Sequence, residues 1–589
     1  MDIFSVLTLI GGLALFLYGM DEMGNGLKKL SGGQLESILA KLTSNKYKGF
    51  LLGFFVTAII QSSSATTVML VGFVNSGIMT LSQSIGIIFG ANVGTTVTAW
   101  LVSLTNIGEG ATTIIKLFKP SSFTPIMGIV AVFMMMMSKK DKHRNIGLIM
   151  IGFTVLMFGM DIMSDSMSGL GKEQWFKDLM VTFSNPILGV LIGTALTAII
   201  QSSSASVGIL QALSLTGAIP FAVAFPIVLG QNIGTTITPI ISAINGNTNA
   251  KRVATACLYI KIVGVIVFLV LFYLIAMFVP FGFMEKDYMA NPLNIAIFHT
   301  VFNIISSVLL LPFSKMFEVF AIKTFKEKAK AEEDNTFSIL DVRFLSTPSF
   351  AIAKCRDLIM DMIVLTKDGF SDALQLMNNY NEKQDTVIRE KENLVDRYED
   401  ELSSYLVRLS EQKLSVEHSR EVAKLLHVVG DIERISDHSV NLVAVAKEMH
   451  EKKIEFSEEA NREITILATA VTDIIEMTSI ALIENDLSLA ARIEPLEQII
   501  DKLQYKMKSN HIKRLQDSNC TIELGFIFSD FITNCERASD HCSNIAACLL
   551  EIENDSFGSH EYIHNIHHEE AFEELYKEYK AKYSLKTQE

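Results

Sequence analysis

Thr57-Ala-Ile-Ile-Gln-Ser-Ser-Ser-Ala65 is a nine-residue string that returns unchanged from Thr197 to Ala205, 140 positions later. The same offset relates two further pairs of segments: 17–21 with 157–161, and 90–96 with 230–236. Both copies of the string lie inside long apolar stretches. The sequence therefore predicts a membrane protein built from two internal repeats, with neutral polar clusters at matching depths.

The composition divides the chain into two halves. Hydrophobic residues make up 49% of the sequence, and the mean hydropathy of +0.34 is high for a soluble protein. Residues 1–320 carry 18 Lys and Arg against 13 Asp and Glu, so the rest of the chain supplies −19 to the net charge of −14. Five of the six cysteines lie in this acidic half without a CxxC pair, which is typical of reduced thiols in a cytosolic compartment.

Several apolar segments could enter a bilayer, which needs roughly 20 apolar residues per helix. They lie near 3–20, 48–75, 82–104, 122–137, 145–163, 187–215, 221–243, 255–280 and 291–314. The first has no basic region before it, so we expect it to remain as a transmembrane helix. Gln-Ser-Ser-Ser interrupts 48–75 and 187–215 near the middle, which predicts a re-entrant hairpin or a broken helix in each.

Positive charge predicts the orientation of the repeats. The loop after the first segment is rich in lysine, whereas its counterpart mixes two lysines with three acidic residues. The residues concerned are Lys28, Lys29, Lys41, Lys46 and Lys48 in the first loop, and Asp165, Lys172, Glu173, Lys177 and Asp178 in the second. By the positive-inside rule the first loop is cytoplasmic and the second external, so we expect inverted repeats with a cytoplasmic basic turn at 139–144.

The candidate substrate- and sodium-binding residues are uncharged. Residues 51–104 and 179–250 contain no Asp, Glu, Lys, Arg or His. Their hydroxyl and amide oxygens can bind a hard cation, and their donors can bind an oxyanion, without titrating near neutral pH. The candidates are Gln61, Ser62, Ser63, Ser64, Thr66, Asn92, Thr95, Thr96, Gln201, Ser202, Ser203, Ser204, Ser206, Asn232, Thr235 and Thr236.

The scarcity of charge favours sodium coupling over proton coupling. A proton-coupled carrier is expected to place titratable residues along its path, and here only His299 in the last apolar segment could serve. An anion in a pocket without Arg or Lys must be balanced by bound cations and half-helix N-termini. Opposite charges 4 Å apart attract by about 4 kcal/mol at an effective dielectric of 20, so sodium would make anion binding cation-dependent. The alternative is that these small residues only allow close helix packing.

The acidic half has a helical apolar period and contains a second duplication. A charged linker is predicted at 321–345, with no 20-residue apolar run after it, and an all-helical bundle follows. Four Glu-x-x-x-Asp motifs occur there: Glu392/Asp396, Glu433/Asp437, Glu497/Asp501 and Glu536/Asp540. Carboxylates at positions i and i+4 share a helix face and repel unless a cation or an arginine lies between them. Arg434 and Arg537 are the alternative partners on a solvated acidic face.

The two Gln-Ser-Ser-Ser turns resemble the signature of the type II sodium/phosphate cotransporter family. The segment from Asn294 to Asn303 is similar to one near the end of that family's membrane domain. The resemblance covers most of residues 1–320 and implies an inwardly directed symporter of sodium and inorganic phosphate in a bacterial cytoplasmic membrane. It implies alternating access with the turns central to the path, and leaves open which serine meets phosphate.

Residues 346–589 resemble a PhoU-like domain, which implies two three-helix bundles whose Glu-x-x-x-Asp motifs hold a divalent-metal or iron cluster. Fused to a phosphate carrier, such a domain is expected to be cytoplasmic and to regulate transport. The implied architecture is all-α. It comprises repeat 1 at 1–140, repeat 2 at 141–320, the linker, and the PhoU-like domain.

Two other functions remain open on this sequence. One is a phosphate-responsive membrane regulator without transport, and the other is a sodium-coupled carrier of another oxyanion. An enzyme is not expected, because the sequence has no P-loop and no evident Ser/His/Asp constellation. The expected partners are inorganic phosphate, sodium ions and the lipid bilayer, without nucleic acid; a homo-oligomer is left open.

Overall fold

The protein is all-helical in the part of the chain that the computed structural model describes. The described residues are 3–30, 45–104, 120–138, 140–167, 173, 185–279, 281–285, 287–326, 336–412, 414–517, 520–554 and 570–585. Among them, β pairing is limited to an isolated bridge between Pro220 and Met289. The chain forms two compact units, Met1–Thr347 and Pro348–Glu589.

The described helices of the first unit are α1 to α14. Their bounds are α1 Ile3–Leu30, α2 Lys46–Ile60, α3 Ser63–Asn75, α4 Leu81–Gly94, α5 Thr96–Ser103, α6 Pro120–Met137, α7 Asp141–Met167, α8 Pro186–Ile200, α9 Ser203–Ser214, α10 Phe221–Gly234, α11 Ile237–Ala243, α12 Thr248–Ala276, α13 Pro292–Leu310 and α14 Ser314–Thr324. Helices α1 to α5 correspond to α7 to α11 at the 140-residue offset.

Each copy of the repeated string forms two short helices joined by a tight turn. Gln61 and Gln201 follow α2 and α8 in the left-handed conformation, with φ of 58° and 60°. This conformation commonly ends a helix because it lets the backbone turn away from the axis. Ser62 and Ser202 then begin α3 and α9 as N-caps.

The equivalent helices α1 and α7 pack antiparallel through glycines. A Cβ atom on each of three α1 glycines would come within 3.0 Å of α7. The close approaches are Gly12 to Met163, Gly19 to Leu156 and Gly26 to Ile149. The contacts recur every seven residues, or about two turns, and run in opposite directions along the helices. Small residues at this spacing allow two helix backbones to approach closely within a membrane.

Seven described helical segments are long and apolar enough to cross a bilayer by length and composition. Six lie in the first unit: Ile3–Leu30, Leu81–Ser103, Asp141–Met167, Phe221–Ala243, Thr248–Ala276 and Pro292–Thr324. The seventh, Glu458–Glu484, lies in the acidic half, where the sequence predicted no such run. It contains six acidic residues, and one of them, Asp473, accepts a hydrogen bond from Lys582 Nζ at 2.6 Å.

The predicted linker differs from the structure at both ends. Helix α14 continues to Thr324, and Thr336–Thr347, which we call the strap, packs against the first unit. Phe344 of the strap is fully buried, with its ring centroid 5.3 Å from that of Phe73. An apolar side chain thus fixes part of a segment whose composition suggested a solvated linker; residues 327–335 lie outside the described ranges.

The second unit contains two helical bundles in its described part. The first consists of α15 Pro348–Leu376, α16 Glu382–Ser410 and α17 Val416–Lys452. The second has α18 Glu458–Glu484, α19 Leu487–Ala490, α20 Ile493–Gln516, α21 Ile522–Asn554 and α22 Glu570–Lys582. Helices α17 and α21 pack along each other, which joins the bundles.

Candidate functional site

The two serine turns meet inside the first unit. Ser63 Oγ and Ser203 Oγ are 3.5 Å apart, although 140 residues separate them in the chain. Residues 61–64 and 201–204 line a common cavity of about 340 Å³, together with one face of α1. We call this the serine cavity.

Two helices begin at the serine cavity. Ser62 Oγ accepts a hydrogen bond from Ala65 N at 3.1 Å, and Ser202 Oγ accepts one from Ala205 N at 3.3 Å. These caps leave Ser63 and Ser203 as the first residues of α3 and α9. Each helix N-terminus carries a partial positive charge of about half a unit and offers backbone N–H donors. Two such ends together form a favourable environment for an anion.

Thr66 and Ser206 stabilise the hairpins from within. Thr57 Oγ1 donates to Thr66 Oγ1 at 3.1 Å, and Thr197 Oγ1 donates to Ser206 Oγ at 2.8 Å. Thr66 Oγ1 in turn donates to the carbonyl oxygen of Ser62 at 3.0 Å. These two predicted binding residues thus hold the turns in shape, and neither lines the described serine cavity.

The two glutamines have different environments. Gln61 is buried, and its Oε1 accepts a hydrogen bond from Thr98 Oγ1 at 2.8 Å. Ser204 Oγ of the other repeat donates to the same threonine at 3.4 Å. Gln201 is exposed, and Oγ1 of Thr238, the counterpart of Thr98, is buried without a hydrogen-bond partner. Corresponding groups are therefore bonded in one repeat and not in the other.

Thr98 was absent from the candidates, although its neighbours in the Asn-x-Gly-Thr-Thr turn were included. The turn itself lies away from the described serine cavity lining. Thr95, Thr96, Thr235 and Thr236 donate to carbonyl oxygens at the ends of α4 and α10, at 2.7–3.0 Å. Asn92 and Asn232 line a second, smaller cavity. Thr98 could have been found from its position one helical turn beyond Thr95.

The serine cavity is not free of charge, contrary to the prediction of a pocket without Arg or Lys. Asp21 and Lys28 of α1 line it, together with Asn25. The two apolar stretches that hold the turns contain no charges, but α1 brings both groups from elsewhere in the sequence. Residues 17 to 28 follow one helix face towards the basic end of α1, so the cavity extends in that direction.

Three carboxylates converge in the first bundle of the second unit. Oxygen atoms of Glu392, Asp396 and Asp437 lie within 4.8 Å of one another. Asp396 Oδ1 is buried without a hydrogen-bond partner. An orphan acceptor among three carboxylates is a fit for a hard cation, which prefers oxygen ligands.

Several of the other predicted carboxylates hold their protons unusually tightly. Burial, with the neighbouring Asp437, raises the pKa of Glu433 to about 7. In the second bundle, burial and the nearby Glu494 and Asp540 raise the pKa of Glu497 to about 8. Burial also raises the pKa of Glu536. Burial and neighbouring negative charges therefore disfavour the ionised forms of these carboxyl groups.

The arginine alternative is present in the structure as well. Arg434 Nη1 lies 3.9 Å from Asp437, and Arg537 Nη1 lies 3.4 Å from Asp540. Both arginine side chains are about 60% exposed, and solvent-exposed pairs of this kind contribute little to stability. They border the carboxylate groups from the solvent side. Burial raises the pKa of Asp540, and the neighbouring Asp501 adds to this effect.

Comparison with known proteins gives matches over both halves. The model of the Na+/Pi-cotransporter family matches residues 15–165 and 155–285, and the PhoU domain model matches 359–446 and 464–549. "Putative inorganic phosphate export protein YjbB" of Salmonella typhimurium is 22% identical over 553 residues, covering 93% of this chain and 98% of that protein.

Two further relatives match parts of the chain. "Uncharacterized protein YqeW" of Bacillus subtilis is 31% identical over 322 residues, covering 53% of this chain and 96% of that protein. "Sodium-dependent phosphate transport protein 2A" of Rattus norvegicus is 36% identical over 104 residues, covering 17% of this chain and 16% of that protein. The chain is a multi-pass membrane protein of the Na+/Pi-cotransporter family, with two copies of that family's domain and a C-terminal PhoU region.

Proposed function

We propose that the protein is a sodium-coupled symporter of inorganic phosphate, regulated by its PhoU region. The observation that carries this proposal is the meeting of Ser63 and Ser203 at two helix N-termini. The names of the family and of the rat relative support phosphate as substrate and sodium as coupling ion.

Phosphate binds between the two turns in this mechanism. The hydroxyl groups of Ser63 and Ser203 and the first backbone N–H groups of α3 and α9 donate to the phosphate oxygens. Lys28 adds positive charge at the wall of the cavity, and Asp21 offsets it. Sodium supplies the remaining positive charge, so phosphate binds tightly only when sodium is present.

Sodium binds to neutral oxygens beside the phosphate. Gln61 Oε1, Thr98 Oγ1 and Ser204 Oγ already form one group that spans both repeats. Amide and hydroxyl oxygens of this kind are suitable ligands for a hard cation. The corresponding group in the other repeat consists of Gln201, Thr238 and Ser64.

The difference between the two groups supports alternating access by inverted repeats. Equivalent helices from inverted repeats run antiparallel, as α1 and α7 do. In the described state the Gln61 group is bonded, while Gln201 is exposed and Thr238 lacks a partner. We propose that these roles are exchanged in the opposite-facing state, with the hairpins re-entrant from opposite sides.

Gln61→Ala and Gln201→Ala are each expected to raise the sodium concentration for half-maximal phosphate uptake by about tenfold. The reason is that each change removes one oxygen ligand of sodium. A tenfold loss of sodium affinity corresponds to about 1.4 kcal/mol of binding free energy. The measurement is initial uptake into proteoliposomes at varied sodium and saturating phosphate.

Gln211→Ala serves as the comparison, because its amide bonds Ala99 and Pro292 carbonyls away from the serine cavity. An unchanged sodium dependence in both the Gln61 and Gln201 variants would refute their assignment as ligands.

We assign the direction as uptake across a bacterial cytoplasmic membrane, with the PhoU region on the cytoplasmic side. The basic end of α1 supports this orientation under the positive-inside rule. The name of the Salmonella relative favours phosphate export as a second candidate function. Proteoliposomes loaded with phosphate and diluted into sodium-free buffer test efflux, whereas an inward sodium gradient tests uptake.

The strap directly precedes the PhoU region in the chain and contacts helices of the membrane unit. Asn75 Nδ2 at the end of α3 donates to Asp341 Oδ2 of the strap at 2.7 Å. Lys28 Nζ of α1 donates to the carbonyl oxygen of Ser346. The strap therefore contacts both α3, which begins at Ser63, and a charged residue of the serine cavity. We propose that the PhoU region regulates transport through these contacts.

We propose that the PhoU region inhibits uptake when internal phosphate is high, and Phe344→Ala is expected to abolish this inhibition while transport itself continues. Removing a fully buried phenylalanine side chain costs about 3–5 kcal/mol and should release the strap. The measurement is uptake by vesicles loaded with increasing phosphate, with Phe313→Ala as an exposed-phenylalanine control. Retention of full phosphate inhibition in Phe344→Ala, or in a chain ending after Thr347, would contradict this role.

The PhoU region is proposed to hold a divalent metal or iron. Glu392, Asp396 and Asp437 would bind it in the first bundle, with Glu433 beside them. Glu497, Asp501, Glu536 and Asp540 are the corresponding proposal in the second bundle. A bound cation would neutralise mutually repelling carboxylates and stabilise the packing of their helices.

A further inference from the structure

Lys261 is a buried cation that the sequence interpretation overlooked inside an apolar segment. It lies on α12, nine residues after Arg252, or about 14 Å along the helix axis. Its exposed fraction is 5%. A bilayer core is about 30 Å thick, so this position lies near mid-depth if Arg252 marks the membrane surface.

Within the described residues, no carboxylate forms an ion pair with Lys261. Titratable neighbours are limited to Cys257 on the same helix and His299 on α13. An isolated ammonium group buried in a membrane protein costs several kcal/mol. Such residues usually face a functional cavity and pair with a partner, and no described carboxylate supplies one for Lys261.

Lys261 lines a small cavity between the repeats, with both polar and apolar residues in its wall. Its walls include the equivalent residues Asn92 and Asn232, with Asn303 and Ser306 of α13. The cavity volume of about 10 Å³ accommodates roughly one water-sized particle. It shares no lining residue with the serine cavity, so the two are separate sites.

Hydrogen bonding around this cavity leaves donors available. Asn232 Nδ2 donates to Asn303 Oδ1 at 3.2 Å, and Asn303 Nδ2 donates to the carbonyl oxygen of His299 at 2.7 Å. Ser306 Oγ and His299 Nδ1 are buried without partners. A hydroxyl group and an ammonium group are donors that an anion can satisfy together.

We propose that Lys261 forms an anion subsite with Asn92 and Ser306, distinct from the serine cavity, for a small inorganic anion. A fluoride ion, which is about the size of a water molecule, fits the cavity as it stands, whereas chloride and phosphate require the cavity to widen. The bound anion neutralises the buried ammonium group, so its affinity depends on that charge. Halide binding at this subsite does not depend on sodium-coupled phosphate transport.

The test is thermal unfolding of the purified full-length protein at constant sodium. Sodium gluconate is replaced stepwise by sodium chloride in one series and by sodium phosphate in another. We expect a saturable rise in Tm of about 2 °C or more for the wild type, because a ligand that binds only the folded state stabilises it. Lys261→Met should lose the chloride response and the part of the phosphate response that exceeds binding at the serine cavity, and Lys261→Arg should retain part of both.

Two further variants make the outcome decisive. Lys315→Met removes an exposed lysine from the same unit and should leave the anion response intact. Asn303→Asp supplies a fixed counter-charge on the cavity wall and should abolish the chloride response while Lys261 remains.

A chloride response that needs Lys261 identifies a resident halide, and a phosphate response alone that needs Lys261 identifies the substrate in transit. Two results would overturn the proposal. One is a wild type that responds to neither anion, and the other is a Lys261→Met variant in which the responses to chloride and to phosphate are both unchanged.

Discussion

Replacing Ser63 and Ser203 together by alanine is expected to reduce sodium-dependent phosphate uptake by at least about 100-fold. Each hydroxyl group donates to the anion in the proposed mechanism, and a hydrogen bond to a charged group contributes about 1.5–3 kcal/mol. The helices should persist, because Ser62 and Ser202 supply the caps and alanine favours helix formation. Initial uptake per reconstituted protein is the measurement.

The matched control is Ser166→Ala with Ser214→Ala. Their hydroxyl groups donate to carbonyl oxygens of Ile162 and Gln211 within their own helices, at 2.6 and 2.7 Å. The control should retain nearly normal uptake. If the Ser63/Ser203 variant transports as well as this control, the serine cavity is not the phosphate site.

Replacing Asp396 and Asp437 together by asparagine is expected to weaken divalent-metal binding by at least about 100-fold. The change removes two of three converging carboxylates, whereas loss of an outer-shell partner alone typically costs 10–100-fold. Titration of Mn²⁺ into the full-length protein is the measurement, with Glu417→Gln and Glu451→Gln as exposed-carboxylate controls. Equal Mn²⁺ affinity in the double variant and these controls would contradict the assignment of these carboxylates as metal ligands.

The pH dependence of that binding follows from the raised pKa of Glu433. Because its folded-state pKa is about 7, the proton must leave before the carboxylate can approach a cation. We expect Mn²⁺ affinity to rise from pH 6 to pH 8 and then level off. Without metal, the stability of the fold changes in the opposite direction. Because the pKa of Glu433 is higher in the folded state, its contribution to stability is lost as the pH rises from its ordinary pKa through about 7. An affinity independent of pH would exclude Glu433 as a neighbour of the metal.

The central turns could be predicted because their information is local. Gln-Ser-Ser-Ser in an apolar segment supplies a left-handed residue, a cap and a new helix within a few positions. The duplication, with the antiparallel packing of equivalent helices, brings the second copy to the first. The distance between Ser63 and Ser203 is a tertiary result, but the repeat made their meeting a reasonable expectation.

The residues that prediction missed reach their positions through packing between distant segments. Lys28 enters the serine cavity because α1 lies against it, and composition within the two apolar stretches could not reveal this. Thr98 bonds a glutamine 37 residues away and a serine of the other repeat. Lys261 lies within a long apolar segment, so the hydropathy of that segment did not indicate a buried charge.

The strap and α18 illustrate a limit of composition as a guide to environment. Phe344 is one aromatic residue near a highly charged segment, yet its burial fixes the strap to the membrane unit. Helix α18 is apolar enough to suggest a membrane span, but it packs with α20 and α21 in a bundle. In both cases the packing partner, rather than the local sequence, determines the environment.

Radiolabelled phosphate accumulation by proteoliposomes is the most direct test of the central claim that sodium and phosphate move together. The account predicts concentrative uptake under an inward sodium gradient, none under a proton gradient of equal size, and loss of uptake in the Ser63/Ser203 variant. Saturable phosphate binding without flux under any cation gradient would contradict it and identify a regulator that does not transport.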